Sequence, residues 1–456
     1  MRWQAVGRLF GTDGVRGVAN RELTPELAFQ LGRAVAQVVA RRRQDGGRPT
    51  VGIGRDTRAS GEMLEAALAA GLASAGCDVE LLGVVPTPGV AALTGLLGLS
   101  AGAVISASHN PAEDNGIKFF GPDGYKLPDE DELAIESLCE APSPNGPRPI
   151  GRDVGRIRRR DDANERYIQF LVEKVPVDLR GFRLVVDCAN GAAYRTTPEV
   201  FRRLGAEVIA LNVEPDGHNI NVGCGSTHPE ALQRAVVEYG AHAGFAHDGD
   251  ADRLIAADAQ GRLVDGDRTL AICAIHMAER GLLTGNAVVA TKYSNLGLTQ
   301  TLAKHGLEVI AADAGDRQVL AAMLERGLVL GGEQSGHVIF LRETTTGDGI
   351  LTALKLLQVM QERQAPLGEL RDWMDEVPQH LVNVRVAHKE QLAHSAACQE
   401  AIRAAGERLG KSGRIFVRAS GTEPVVRILL EGEDPELLRT LADEVAGVIR
   451  QELGEA

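Results

Sequence analysis

Several things are missing from this sequence, and each absence narrows what the protein can be. There is no Cys-x-x-Cys pair. Cys77, Cys139, Cys188, Cys224, Cys273 and Cys398 are scattered, with no histidine cluster near them at zinc spacing. That argues against a zinc module and a disulfide framework and points to a reducing cytosol, hence a cytoplasmic protein. Excess positive charge is also missing: 49 Lys and Arg stand against 62 Asp and Glu, a net charge of −13. Such a surface repels nucleic acid and anionic lipid, so neither is expected as a partner. An anionic substrate would have to be met by basic residues gathered locally. No uninterrupted apolar span occurs. Leu81 to Ala112 carries no Asp, Glu, Lys or Arg, but Pro86, Pro88 and five glycines break it, so strands and a helix explain it better than a membrane crossing. The N-terminus shows no cationic segment followed by an apolar one, and no export signal is expected. There is no Gly-x-Ser-x-Gly elbow, which weakens acyl transfer as the chemistry of any serine here.

What is present is an ordinary globular composition, 44% hydrophobic over 456 residues, long enough for about three domains. Apolar runs of strand length alternate with helical periodicity. A helix is expected from Thr24 to about Arg43, where Leu27, Leu31, Ala34, Val38 and Val39 recur at helical spacing. Strands are expected at 51–54, 79–82 and 103–105, then at 184–187, 208–210 and 244–246, and again at 287–290, 307–310 and 328–330. This is the pattern of three consecutive α/β domains with mixed, largely parallel sheets. A Pro/Gly/Arg-rich stretch over 140–160 reads as a boundary loop. From about residue 375 the order changes to a strand at 381–386, a helix over 390–409, two close strands and a last helix over 434–452, which suits a smaller α+β domain with an antiparallel sheet. The expected limits are 1–155, 156–257, 258–370 and 371–456.

Four stretches carry chemical character. After the apolar strand Ala103-Val104-Ile105 the chain breaks into Ser106-Ala107-Ser108-His109-Asn110-Pro111. A hydroxyl raised at a strand end beside an imidazole is where α/β proteins place a nucleophile, although a turn hydroxyl has the same look. Lys118 lies beyond this loop, and two roles are open to it: stabilising phosphoryl oxygens or handling a proton. Asp248, Asp250 and Asp252 alternate. On an extended loop they would point one way, and three such carboxylates repel one another unless a cation neutralises them. All-oxygen ligation selects a hard ion, and few ligands with a phosphate nearby favour Mg²⁺. An EF-hand would need Gly and Glu where Arg253 and Ala259 stand. A Mg²⁺ loop elsewhere in the chain favours phosphoryl transfer at Ser108. Glu333 and Ser335, flanking Gln334, offer an acceptor and a hydroxyl suited to sugar hydroxyls, or simply a tight turn. Arg418-Ala419-Ser420-Gly421-Thr422, with Arg427 nearby, combines guanidinium groups, hydroxyls and a Gly-permitted backbone nest suited to phosphate. Residues 8–20, Gly-rich with two arginines, read as a loop.

Taken together and in this order, the Ser-His-Asn-Pro, Asp-Gly-Asp-x-Asp-Arg, Gly-Glu-x-Ser-Gly and Arg-x-Ser-Gly-Thr-Glu-Pro elements resemble those of the α-D-phosphohexomutase superfamily over nearly the whole chain. Within it, Phe10–Gly17, Asn219-Ile220-Asn221 with Cys224-Gly225-Ser226, and Gln334 resemble the bacterial phosphoglucosamine mutase branch; the phosphoglucomutase/phosphomannomutase branch is the alternative. The resemblance implies four domains around a central cleft, each giving one loop. It implies that Ser108 is a phosphoserine carrier and that one Mg²⁺ is bound by Asp248, Asp250, Asp252 and an oxygen on Ser108. Glu333 and Ser335 would hold sugar hydroxyls, and Arg418, Ser420, Gly421, Thr422 and Arg427 the substrate's phosphate. Lys118, Arg253 and Arg16 would stabilise the phosphoryl group in flight, with His109 beside the serine. The implied reaction interconverts glucosamine 6-phosphate and glucosamine 1-phosphate through a 1,6-bisphosphate, which also serves as primer, and feeds UDP-N-acetylglucosamine and peptidoglycan precursors. The resemblance admits a homodimer. It also marks a departure: Gly315-Asp316-Arg317-Gln318 has Gln318 where the family has Tyr.

Overall fold

The computed structural model describes residues 9–11, 13–42, 47–140, 146, 148–410, 413–420 and 424–454. Two compact units emerge, Met1–Tyr293 with Leu307–Trp373, and Ser294–Gly306 with Met374–Ala456.

The first unit holds three sheets. The first contains β1 (Val15–Val18), β2 (Thr50–Arg55), β3 (Asp78–Val84), β4 (Ala101–Ile105), β5 (Asp114–Phe120) and β6 (Ile157–Arg159), in the order β1-β5-β4-β2-β3-β6. The second contains β7 (Arg183–Asp187), β8 (Glu207–Leu211), β9 (Ala243–Ala246), β10 (Ile255–Asp258) and β11 (Leu263–Val264), in the order β11-β10-β9-β7-β8. The third contains β12 (Ala287–Thr291), β13 (Glu308–Ala312), β14 (Leu330–Gly332) and β15 (Val338–Phe340), in the order β13-β12-β14-β15.

One plan is repeated in all three. A central strand (β2, β7, β12) pairs in parallel with the next strand (β3, β8, β13) on one side and with the third (β4, β9, β14) on the other. The third strand then turns back into an antiparallel fourth (β5, β10, β15). β4, β9 and β14 are buried along their whole length, as strands covered on both faces must be, and their composition of Ala, Gly and apolar residues suits that position. The α/β expectation is therefore met, with antiparallel strands at one edge of each sheet. β6 carries the first sheet through Arg159, beyond the expected limit at 155, because Val79–Leu81 still offers a free edge to pair with it. β10 and β11 likewise carry the second sheet past 257.

One local expectation fails. The Gly-rich segment before Asn20 is not only loop: Val15–Val18 pairs antiparallel with Asp114–Ile117. The run after Pro111, for which no element was expected, is the strand β5, and Lys118 sits on it opposite Val104. In both segments Gly and Asn lower the intrinsic strand preference, and tertiary pairing overrides it.

The second unit carries the antiparallel sheet β16 (Gln379–Arg385), β17 (Arg414–Ala419) and β18 (Val425–Glu431), ordered β16-β18-β17. The helices Ala396–Leu409 and Pro435–Leu453 complete its core around Val384, Ile428, Leu430, Leu441, Val445 and Ile449. The first of these helices begins later than expected, where the Ser395 side chain accepts from Cys398 N and caps it.

The helices Pro25–Arg42 and Ser60–Ser74 cross on two glycines. A Cβ at Gly71 would stand 2.2 Å from the Phe29 carbonyl oxygen, and one at Gly32 would stand 2.4 Å from that of Leu68. Replacement by Ala must push the helices apart. Gly71→Ala is expected to lower stability by about 1–3 kcal/mol, the usual cost of overpacking a filled core. Denaturant unfolding against wild type measures it, and an unchanged midpoint would show that the crossing yields freely.

Candidate active site

The three turns that follow β4, β9 and β14 contain Ser108, the Asp248–Asp252 run and Glu333 with Ser335. They occupy the same place in the repeated plan, where a buried parallel strand reverses into its antiparallel neighbour.

Ser108 is buried and adopts φ +53°, a left-handed conformation that costs a non-glycine residue energy unless neighbours impose it. The neighbours do so. Its backbone N–H donates to Ser106 Oγ at 3.0 Å, and Ser106 Oγ donates to Asp56 Oδ2 at 2.6 Å. Its carbonyl accepts from Arg58 Nη2 and from Asn221 Nδ2, both at 2.9 Å. Arg58 is fully buried. Its guanidinium holds Asp56 through Nε at 2.9 Å and reaches the carbonyls of Ser108, Asn110, Pro111 and Asp114. One arginine thus gathers the whole serine turn. A forked, permanently charged donor set can do this where lysine cannot. Neither Arg58 nor Asp56 was assigned a role from the sequence. Their signal was a charged cluster directly after the strand Val51–Gly54.

The Ser108 hydroxyl donates to Asp248 Oδ2 at 2.5 Å and lies 3.3 Å from His109 Nδ1. Having only one hydrogen, it spends it on Asp248 and can only accept from His109. Burial, with Arg253 and Arg16 nearby, brings the His109 imidazole down to about 4, so it is neutral at physiological pH.

Asp248, Asp250 and Asp252 are all buried, and each has a carboxylate oxygen within 4.8 Å of the others'. The expectation of an extended run does not hold. Residues 249–252 form a turn, with Ala251 at φ +59°, and turn curvature rather than strand alternation brings the carboxylates together. Gly249 packs against the serine turn, where a Cβ would stand 2.5 Å from the Ser108 carbonyl oxygen. Asp250 Oδ1 and Asp252 Oδ1 are buried without a hydrogen bond. Burial and the carboxylates of Asp252 and Asp250 push Asp248 well above the usual carboxylate range. An all-oxygen, mutually repelling set with unsatisfied acceptors fits a hard divalent cation.

Lys118 lies against this turn. Burial disfavours its charge, but Asp13 Oδ2 at 3.2 Å and Asp250 Oδ2 at 3.1 Å outweigh burial and hold the ammonium protonated. An ammonium held in this way is a positive charge beside the triad. Asp250 also accepts from Thr87 Oγ1 at 2.6 Å. Arg16, on β1, pairs with Asp13. Gly116 leaves it room, since a Cβ there would stand 2.9 Å from Arg16 Cγ. Arg253 lies in the field of Asp248, Asp252 and Glu333, with Nε 3.9 Å from Asp252 Oδ1.

The third turn is joined to the second by backbone: Leu254 N donates to the Gly336 carbonyl and Gly349 N to that of Ala251, both at 3.0 Å. Glu333 Oε1 accepts from Gly315 N at 2.9 Å, and Glu333 Oε2 accepts from Ser335 Oγ at 3.3 Å. Gln334 turns away, its amide 3.4 Å from Asp265, the capping residue of the helix Gly266–Glu279. Gln318 is exposed on the first turn of the helix Asp316–Arg326. His337, unassigned from the sequence, is buried with Nδ1 3.8 Å from Asp252 Oδ2.

In the second unit Arg418 and Arg427 face each other across β17 and β18. Ser420 N donates to the Val425 carbonyl at 2.8 Å, and Lys389 Nζ reaches the Ser420 carbonyl at 2.7 Å. Gly421 and Thr422 lie outside the described residues.

Family models match in chain order: the phosphoglucomutase/phosphomannomutase alpha/beta/alpha domains I, II and III over residues 7–145, 165–261 and 265–377, and the C-terminal domain over 381–448. The chain is 56% identical to the phosphoglucosamine mutase of Symbiobacterium thermophilum over 447 residues, covering 98% of this chain and 99% of that one. It belongs to the phosphoglucomutase/phosphomannomutase family. It is also 55% identical to the phosphoglucosamine mutase of Moorella thermoacetica, covering 96% of this chain and 98% of that one. Among solved structures, a phosphoglucomutase/phosphomannomutase family protein from Burkholderia thailandensis superposes with a TM-score of 0.82 at 26% identity, covering 98% of both chains. The N-acetylphosphoglucosamine mutase of Aspergillus fumigatus, solved with GlcNAc-6P and magnesium, shares the fold at a TM-score of 0.68 and 20% identity, covering 97% of this chain and 95% of that one. Members of this family are isomerases that move a phosphoryl group within a sugar, and the four-domain expectation holds.

The same turn contains a pH-sensitive support. His247 is fully buried, with Nε2 3.1 Å from Thr197 Oγ1 and Nδ1 3.2 Å from the Arg253 carbonyl, and burial brings it from 6.5 to about 4. The unfolded chain binds this proton first, so its contribution is complete above pH 6.5 and falls as pH drops toward 4. Between pH 7.5 and 5 the loss from this residue is about 2 kcal/mol. Urea unfolding at both pH values should show a smaller difference for His247→Asn than for wild type. Equal differences would remove His247 as a source.

Proposed function

We propose that this chain is a phosphoglucosamine mutase that interconverts glucosamine 6-phosphate and glucosamine 1-phosphate through a phosphorylated Ser108 and a glucosamine 1,6-bisphosphate. The observation that carries the reading is the Ser108 hydroxyl set 2.5 Å from Asp248 in a buried carboxylate triad, on a chain 56% identical to a phosphoglucosamine mutase.

Asp248, Asp250 and Asp252, with an oxygen on Ser108, would hold one Mg²⁺, which supplies neutralisation of charge on the transferred phosphoryl group. The chain's own residues do the rest. Phosphoserine 108 donates its phosphoryl group to the free sugar hydroxyl; a P–O bond forms there as the bond to Ser108 Oγ breaks, and the proton of the sugar hydroxyl ends on the released Ser108 Oγ. The 1,6-bisphosphate turns round, and its other phosphate returns to Ser108. Lys118 and Arg16, with Arg253 beside Asp252, place fixed positive charge where the negative charge spreads. His109 is neutral and adjoins the serine. Glu333 and Ser335 take sugar hydroxyls. Arg418 and Arg427 hold the phosphate that is not reacting, together with Ser420, Gly421 and Thr422. A bisphosphate primer is required because the carrier must start phosphorylated. Division into four functional units follows the same reading, with the first limit set after Arg159 and the second after Val264 so that no sheet is cut. The six free cysteines support a cytoplasmic setting, and among the described residues no helix is long and apolar enough to cross a membrane. The product suits amino-sugar nucleotide synthesis.

A glucose or mannose phosphate mutase is the second reading, favoured by the Gln334 amide, which lies 3.4 Å from Asp265 and so leaves this residue supporting the helix cap. Turnover of glucosamine, glucose and mannose 6-phosphates with Mg²⁺ and a trace of sugar bisphosphate separates the two. Preference for the amino sugar is expected; preference for either other sugar assigns the second reading. Ser108→Ala is expected to lose at least about a thousandfold in turnover, as removal of a covalent carrier does, while still binding phosphosugar by calorimetry. Near-normal turnover would remove Ser108 from its role.

A further inference from the structure

Asp13 divides its carboxylate between two sides. Oδ2 faces Lys118 at 3.2 Å and also meets Arg16. Oδ1 accepts from Lys126 Nζ at 2.8 Å, and Lys126 in turn reaches Asp316 Oδ2 at 2.5 Å. With Lys118 bound to Asp250 at 3.1 Å, these groups form a continuous chain of alternating charge, Asp250–Lys118–Asp13–Lys126–Asp316. It starts at the carboxylate triad and ends beside the Glu333 turn, because the residue before Asp316 is Gly315, whose N–H donates to Glu333 Oε1. Burial opposes the charge on Lys126, but Asp316 and Asp13 overcome it and hold the ammonium protonated.

We infer that Lys126 is a positioning residue of the reaction. Clasped between Asp13 and Asp316, it keeps the sugar-binding turn in register with the cations that act on the phosphoryl group. This rests on the mutase reading above.

The arrangement does more than join two segments. A separate tether already does that: Arg317 forks onto Glu132 at 2.5 and 3.0 Å and also meets Asp129. Lys126 adds a constraint on where Asp13 points. Without it, Asp13 has an uncompensated oxygen next to Lys118 and Arg16 and is free to turn wholly toward them. Asp316 loses its partner one residue from the N–H that fixes Glu333. Lys126 and Asp316 also border a cavity of about 530 Å³ that His337 and Thr345 help to line, so the pair stands at the edge of open space and is not sealed in a core. Displacements of about an ångström in a reacting geometry cost on the order of a hundredfold in rate.

The test is steady-state isomerisation of glucosamine 6-phosphate by wild type, Lys126→Met, Lys126→Arg, Asp316→Asn and the Lys126→Met/Asp316→Asn double variant, with Arg317→Gln as the structural comparison and thermal midpoints for all. Lys126→Met is expected to lower kcat by about ten- to a hundredfold with KM changed less than about threefold. Lys126→Arg should recover most of the loss. The double variant should be no slower than Lys126→Met, since the two residues act as one unit. Arg317→Gln should lower the midpoint more than it lowers kcat. Three outcomes overturn the inference: kcat of Lys126→Met within about twofold of wild type, losses that simply track the midpoint across all variants, or additive losses in the double variant. Absence of turnover in the wild-type protein would instead refute the mutase reading, and a mass-detected transfer of phosphate from sugar bisphosphate to Ser108, slowed in Lys126→Met, then still decides the role of Lys126.

Discussion

Three buried carboxylates close enough to touch one ion are the constraint on which the rest of this site depends. Left alone, Asp248, Asp250 and Asp252 would repel one another in a medium that screens charge poorly. The surrounding structure is arranged as the answer to that repulsion. Lys118 lies against Asp250, Arg253 lies in the field of Asp248 and Asp252, and the serine hydroxyl gives its one hydrogen to Asp248. What these groups leave unsatisfied, the outer oxygens of Asp250 and Asp252, is the room a divalent cation would use. A net charge of −13 on the whole chain makes such local gathering of cations necessary for any phosphorylated ligand.

The three turns that meet here are equivalent positions in a repeated architecture. In each sheet a fully buried parallel strand ends and the chain reverses into an antiparallel neighbour. The carboxyl end of a parallel strand is where a side chain can be raised out of a packed layer while its backbone stays anchored. Three copies of one plan therefore supply three different chemical groups: a hydroxyl, a set of carboxylates and a carboxylate–hydroxyl pair. The Ser108 hydroxyl bond to Asp248 and the backbone bond from Leu254 to Gly336 then fix the turns to one another. Glycine is required at the closest approaches. Gly249 meets the Ser108 carbonyl and Gly336 that of Leu254, and side chains there would force the turns apart.

Much of this was legible in the chain itself. Alternating strand and helix periodicity determined three α/β domains and a smaller α+β domain, because burial on both faces of a parallel sheet leaves continuous apolar runs. Chemical type and spacing singled out the serine turn, the acidic triad, the Glu333–Ser335 pair and the Arg418 loop as candidates, because hydroxyls, clustered carboxylates and paired guanidinium groups are the groups that meet cations and phosphate. Only the tertiary structure decided the remainder. The Gly-rich segment holding β1 reads as loop and becomes a strand through pairing with β5, which β4 holds on its other side. Arg58 reads as one of two arginines after a strand, and only the fold reveals that it holds four carbonyls of the serine turn. Gln334 reads only as a mark of the family branch, and only the fold shows its amide 3.4 Å from Asp265. Asp13, the pair Lys118 and Lys126, Asp250 and Asp316 come from four separate stretches of chain, so no local pattern records that they form one line of alternating charge. Sequence carries periodicity and chemical type; which distant charges face one another is set by how the sheets pack.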